Sequence, residues 1–303
     1  MENIIEQIQT LKREKNAVIL AHCYQNVEID EVADFVGESL YLSQMAAKTD
    51  ADVILFAGVF FMAQTAKMLS PDKKVLLPRM ESGCLMADTI NLEQLRKFKS
   101  EHPNIPTVCY INSTAEVKSE CDICCTSSNA IKIVKSLNTD KVLFLPDTHL
   151  GKWVESQLDG VEVITYPGCC PTHMRIKPED VTNIRKHFPK AKILTHPECS
   201  KSVTKLSDFV GSTKEIMQYA KESVAKQFVI ATEQGVCDRL KRDMPEKEFI
   251  MIKENIICPC MKWHTLQDIY NALEKEQHEI TLDEDLIKKS VTCIDRMLEV
   301  CNG

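Results

Sequence analysis

Tyr166-Pro167-Gly168-Cys169-Cys170-Pro171-Thr172-His173 stands near the middle of a chain of 303 residues, directly after the apolar run Val161-Glu162-Val163-Ile164-Thr165. Two other cysteines follow apolar runs in the same way: Cys84 after Val75-Leu76-Leu77, and Cys258 after the run 249–252. The intervals are 86 residues from Cys84 to Cys170 and 88 from Cys170 to Cys258. Such even spacing predicts three copies of one unit, each delivering a sulfur to a common point.

The flanking sequence repeats with the same period. Apolar runs that read as buried strands centre near residues 18, 108 and 193, then 53, 142 and 228, then 75, 163 and 250. Helical patterns lie between them: 3–15, 30–49 and 61–69; 92–99, 126–137 and 153–157; 178–188, 212–223 and 237–241. Two further helices are expected at 265–277 and 281–301. Strands alternating with helices, with strands apolar throughout, predict an α/β fold of three homologous small parallel-sheet αβα sandwich domains. The expected units are 1–88, 89–174 and 175–303, the last carrying the C-terminal helices. Ligands of open α/β sheets bind beyond the carboxyl ends of the strands. Three units around a pseudo-threefold axis would therefore point nine strand ends into one cavity.

Composition narrows the chemistry. The net charge is −7, so there is no basic footprint for nucleic acid, and small-molecule chemistry is the default. No run of 18 apolar residues exists to span a membrane, and the N-terminus lacks the pattern of a signal peptide, so a cytoplasmic location is expected. Fourteen cysteines in such a chain argue for metal or cluster ligation by a few and burial as small hydrophobes for the rest.

Three sulfurs from three loops can hold a [4Fe–4S] cluster on three of its irons, leaving one iron open as a Lewis acid. Spacing alone does not choose between Cys169 and Cys170, or between Cys258 and Cys260. Cys121-x-x-Cys124, followed by Cys125, has no counterpart in the other two units and reads as structural or redox-incidental.

The first strand of each unit ends in polar groups: His22 and Tyr24, Tyr110 and Asn112, His196 and Glu198. A lone histidine is ordinarily a satisfied structural residue; polar ends at three equivalent positions point to a site. Further along come Gly37-Glu38-Ser39, Thr126-Ser127-Ser128 and Gly211-Ser212-Thr213, each opening a helix. Hydroxyls there are ordinary N-caps. Three helix starts facing one cavity would also form three anion sites, suited to a polycarboxylate or a phosphate. These features together suggest a hydro-lyase or a dehydrating condensation; a metal-bearing redox sensor is the non-enzymatic rival.

Ala21-His22-x-Tyr24-Gln25, Asp34-Phe35-Val36-Gly37-x-Ser39, Gly83-Cys84-x-x-Ala87, Tyr110-x-Asn112-x-x-Ala115-Glu116-Val117-Lys118, Gly168-x-Cys170-x-x-His173, His196-Pro197-Glu198 and Cys258-Pro259-x-Met261 occur in this order. Together, from about residue 16 to 265, they resemble the quinolinate synthase family of NAD biosynthesis. The resemblance implies a [4Fe–4S] cluster held by Cys84, Cys170 and Cys258, which selects Cys170 over Cys169 and Cys258 over Cys260. It implies condensation of iminosuccinate with dihydroxyacetone phosphate, losing phosphate and two waters, and a functional link to the enzyme that makes iminosuccinate. A [4Fe–4S]-dependent hydro-lyase acting on a polycarboxylate is the alternative. By the same resemblance His22, Ser39, Tyr110, Asn112, Ser127, His196, Glu198 and Thr213 contact substrate. Tyr24, Glu198 and His196 would then handle protons. Cys23 and Cys260 depart from the family pattern and stand as extra thiols near the site.

Overall fold

The computed structural model describes residues 2–302, so Met1 and Gly303, the outermost residues of the expected first and third units, lie outside it. Three four-stranded sheets, all parallel, follow one another along the chain. In the first, α1 (Glu2–Glu14) precedes β1 (Ala17–His22), β2 (Phe35–Gly37), α2 (Ser39–Lys48), β3 (Val53–Ala57), α3 (Phe60–Leu69) and β4 (Lys74–Leu76). The second contains α4 (Leu92–Glu101), β5 (Thr107–Tyr110), α5 (Ala115–Lys118), β6 (Ile123–Cys125), α6 (Ala130–Ser136), β7 (Lys141–Leu145), α7 (Thr148–Ser156) and β8 (Glu162–Thr165). The third runs α8 (Pro178–His187), β9 (Lys192–Thr195), α9 (Lys201–Thr204), β10 (Phe209–Val210), α10 (Thr213–Glu222), β11 (Gln227–Ala231), α11 (Gln234–Asp243) and β12 (Glu248–Met251). After α12 (Pro259–Lys262) come α13 (Leu266–Lys275) and α14 (Glu284–Asn302).

Each sheet has the same strand order: β2-β1-β3-β4, β6-β5-β7-β8 and β10-β9-β11-β12. The α/β class and the three homologous parallel sheets expected from the sequence are both present. Each sheet nonetheless has four strands where three were expected. The additional strands are two or three residues long and sit on the sheet edge beside the first strand, as where Leu20 pairs with Phe35. One replaces the middle of the helix expected over 30–49, which begins only at Ser39. Val32, Phe35, Val36, Leu40 and Leu42 have helix-like spacing, but Asp34 accepts the Ile19 N–H through its side chain at 2.8 Å and draws this segment onto β1. Asp122 and Asp208 do the same for Thr107 and Ile193, both at repeat-equivalent positions.

The central strands are apolar throughout because helices cover both faces: Ile19, Leu20, Leu55, Leu143 and Ile230 are fully buried. The two C-terminal helices turn back onto earlier units. In α13, Leu266, Ile269 and Leu273 share a core with Ile8, Ile19 and Leu55 of the first unit. In α14, Cys293, Ile294 and Met297 join the core of the first two units, and α14 packs on β6 and α5. Among the described residues no helix is long and apolar enough to cross a membrane.

Candidate active site

A cavity of about 250 Å³, metabolite-sized, is lined by residues from all three units. Cys84, Cys170 and Cys258 line it, as do His22 and Tyr24, Tyr110 and Asn112, and His196 and Glu198. Ser39, Ser127 and Thr213 line it too. The polar strand ends, one hydroxyl from each helix start and one cysteine from each loop thus reach one space. Ser39 and Thr213 are the first residues of α2 and α10, whereas Ser127 lies in the turn two residues before Asn129, the N-cap of α6.

The cysteines stand at similar places. The Cys84 and Cys170 carbonyls accept the Asp88 and Met174 N–H groups at 3.0 Å just before a 3-10 turn, and Cys258 is the N-cap of α12; in each case the backbone N–H three residues on favours the thiolate. Burial pushes the Cys84 thiol up to about 12 and Cys258 up to about 11, and these N–H groups pull the other way by favouring the thiolate. Cys258 raises the Cys84 thiol further; burial and Glu198, and then Cys84, raise Cys170, as converging negative charges do. Three thiols that repel one another as thiolates, each met by an N–H donor, form a donor set that a cationic iron–sulfur group satisfies. Cys169 does not line the cavity; Cys260 does, but it lies inside the turn that Cys258 heads. Cys124 lies apart, its sulfur 3.1 Å from Cys293 of α14.

The Tyr110 hydroxyl donates to Glu198 Oε1 at 2.6 Å, and His173 Nδ1 lies 2.8 Å from Glu198 Oε2 and 3.2 Å from Cys170 Sγ. Cys170, His173 and Glu198 thus present three metal-capable atoms within 4.8 Å of one another. Burial alone would raise the Glu198 carboxyl, but His173 and Tyr110 outweigh it and hold Glu198 well below the ordinary carboxylate range. His173 Nε2 contacts Thr232 Oγ1 at 2.8 Å, and the Tyr24 hydroxyl lies 3.3 Å from both Thr232 and Thr213. Burial, and then Glu198, raise the Tyr24 and Tyr110 phenols well above 10, so both stay protonated.

His22 Nδ1 accepts the Tyr24 N–H at 3.1 Å, and His196 Nδ1 accepts the Glu198 N–H at 3.3 Å. These matching bonds leave the proton on Nε2 in each ring; His196 Nε2 meets Ser127 Oγ at 3.3 Å. Burial pushes both imidazoles down to about 3, so both are neutral donors at neutral pH. The Asn112 Oδ1 atom is buried with no partner among the described residues, an acceptor open to a ligand.

Further groups support the site; Lys118 and Gly168 stand in the motifs quoted above, whereas Arg239 gave no sequence signal. Arg239, buried on α11, pairs with Asp30 and donates to the carbonyls of Cys23 at 2.6 Å and Gln25 at 3.1 Å, pinning the loop that bears Tyr24. Lys118, buried on α5, donates to the Ser113 carbonyl beside Asn112. Gly168 is required by close approach, since a Cβ there would sit 2.4 Å from the Pro146 carbonyl. Asp147 and Glu233, both buried, follow β7 and β11 at matching places; their 86-residue separation is the signal that could have found them.

A family model described as "NadA: Quinolinate synthetase A protein" matches residues 6–299. The quinolinate synthase of Alkaliphilus metalliredigens is 54% identical over 298 residues, covering 98% of both chains. That of Dehalococcoides mccartyi is 49% identical over 299 residues, covering 99% of both. That of Methanosarcina barkeri is 46% identical over 297 residues, covering 98% of this chain and 97% of its own. With the match spanning residues 6–299, the chain belongs to the quinolinate synthetase A protein family.

Proposed function

We propose that this enzyme condenses iminosuccinate with dihydroxyacetone phosphate to quinolinate, releasing phosphate and two waters, with a [4Fe–4S] cluster held by Cys84, Cys170 and Cys258. The observation that carries this reading is the convergence of one cysteine from each unit, at repeat-equivalent loops, on the cavity that also receives the polar strand ends of all three units. Cys170, His173 and Glu198 could alternatively hold a single ion. His173 and Glu198 already have partners in Thr232 and Tyr110, however, and a single ion there would leave Cys84 and Cys258 without a role.

When bound, the cluster supplies an open iron as a Lewis acid for substrate oxygens and nitrogens. The remaining work falls to the chain. Ser39 and Thr213, at the positive starts of α2 and α10, take substrate carboxylate or phosphate oxygens, with Ser127 beside them. The neutral Nε2–H groups of His22 and His196 donate to substrate oxygens without carrying charge into the cavity. Asn112 Oδ1 accepts from a substrate N–H or O–H.

Forming the ring requires protons to leave carbon and reach departing oxygens. Glu198, held ionised, offers its carboxylate to a substrate proton, and the Tyr110 hydroxyl and His173 Nδ1, both within 2.8 Å, fix its orientation. Tyr24, protonated and lying between Thr213 and Thr232, donates to a leaving hydroxyl.

Protein purified without oxygen should carry about four irons and four sulfides per chain, absorb in the visible range, and form quinolinate from the two substrates. A colourless, iron-free and inactive preparation after anaerobic reconstitution would overturn the proposal. Dehydration of simple hydroxy acids instead of quinolinate formation would favour a hydro-lyase.

A further inference from the structure

The three cysteine loops are held in two different ways. In the second unit Asp147 caps α7: one carboxylate oxygen accepts the Leu150 N–H at 2.7 Å, and the other accepts the Cys170 N–H at 3.1 Å. In the third unit Glu233 caps α11: one oxygen accepts the Gly235 N–H at 2.6 Å, and the other accepts the Cys258 N–H at 3.3 Å. Both side chains have 0% exposure. The first unit has Val59 at this place, with no side-chain acceptor. There the Phe60 N–H donates to the Ser82 carbonyl at 2.7 Å, and Ser82 Oγ meets His264 Nε2 at 2.7 Å.

A helix cap alone does not need a buried carboxyl. Ser212 and Thr265 cap α10 and α13 with hydroxyls. Burial raises the pKa of both Asp147 and Glu233, which shows that enclosing these acids opposes their ionisation. The feature that sets them apart is the second oxygen, in each case fixed on the main chain of a cavity cysteine.

We propose that Asp147 and Glu233 are positioning residues for the metal centre, each clamping the backbone of one ligand cysteine to the start of a buried helix. Cys84 has no such clamp, and its loop is set instead by the contact of Ser82 with His264. This inference rests on the cluster reading above. The bonds leave the Cys170 and Cys258 N–H groups occupied by carboxylate oxygens, which fixes the backbone at each ligand.

Asp147→Asn and Glu233→Gln test it. Each amide keeps one oxygen for the helix N–H and turns its NH₂ toward the cysteine N–H, donor against donor. In cluster-free protein, hydrogen exchange at the Cys170 amide should quicken at least ~10-fold in Asp147→Asn, and at the Cys258 amide in Glu233→Gln, with circular dichroism unchanged. Reconstituted variants should lose iron to a chelator about 10- to 100-fold faster than wild type, with an altered electron paramagnetic resonance spectrum of the reduced cluster. Wild-type iron retention together with an unchanged spectrum would overturn the proposal. If one variant fails to fold, the other gives the same readouts at its own cysteine. If wild-type protein takes up no iron and sulfide, the functional reading fails by itself. Amide exchange in cluster-free protein then decides the clamp: faster exchange in the variants sustains it, and unchanged exchange overturns it.

Discussion

Tyr110 and Glu198, 88 residues apart and in different units, meet at 2.6 Å with the phenol donating to the carboxylate. The equivalent strand ends of the second and third units are therefore one chemical assembly. Removing the donor by Tyr110→Phe takes a hydrogen bond from the ionised form of Glu198, so its pKa rises. Quinolinate formation should fall about 100-fold. Steady-state rates, with circular dichroism as the fold control, measure the loss.

The cysteine assignment makes a sharp division. Cys84→Ser, Cys170→Ser and Cys258→Ser should each abolish the visible absorption and the activity after anaerobic reconstitution. Cys169→Ala and Cys260→Ala should keep both. Stripping iron from wild-type protein with a chelator should remove activity, and restoring iron and sulfide should return it. Iron and sulfide content per chain reports each case directly.

The buried imidazoles make the protein acid-sensitive. His22 and His196 have folded pKa values of about 3 against 6.5 unfolded, so the unfolded chain binds more protons between those limits. Their stabilisation is complete above pH 6.5 and declines as the pH falls toward 3, by about 2 kcal/mol for each by pH 5. Glu198, with its lowered pKa, acts in the same sense below the ordinary carboxylate value. Glu233, raised to about 7, acts in the opposite sense between pH 4.5 and 7 and offsets part of the loss. Urea midpoints of cluster-free protein at pH 7, 6 and 5 should fall less steeply in the doubly substituted His22→Gln, His196→Gln protein than in wild type.

Gly168→Ala should unfold more readily and hold its cluster poorly. The added carbon would lie 2.4 Å from the Pro146 carbonyl and 2.5 Å from Thr89 Oγ1, and the backbone carbonyl cannot swing away. Relieving that contact moves the loop carrying Cys170, at a cost of about 1–3 kcal/mol. Urea denaturation of the cluster-free protein and iron content after reconstitution measure the two consequences.

Strands such as Ala17–His22 and Val53–Ala57 were legible because strands covered on both faces need continuous apolar runs. The edge strands were not. Phe35–Gly37 and Phe209–Val210 owe their conformation to pairing with β1 and β9, and two or three residues carry no periodicity of their own. The cavity residues were legible as types at repeated positions, whereas their partners were not. Thr232 and Arg239 look like ordinary helix or loop residues until packing buries them against the site loops.

The amino-acid sequence by itself determined the threefold repeat, the α/β class and the residues offered at each strand end, because hydrophobic periodicity and motif spacing are local and recur about every 85 to 90 residues. Tertiary structure decided which of those residues touch, as with Tyr110 on Glu198, His173 beside Cys170, and Asp147 and Glu233 on the amides of Cys170 and Cys258. It also decided their protonation, since enclosing His22, His196 and Tyr24 away from water makes charge on them unfavourable. Both depend on how three units pack together, and that packing brings together groups that no short stretch of sequence contains.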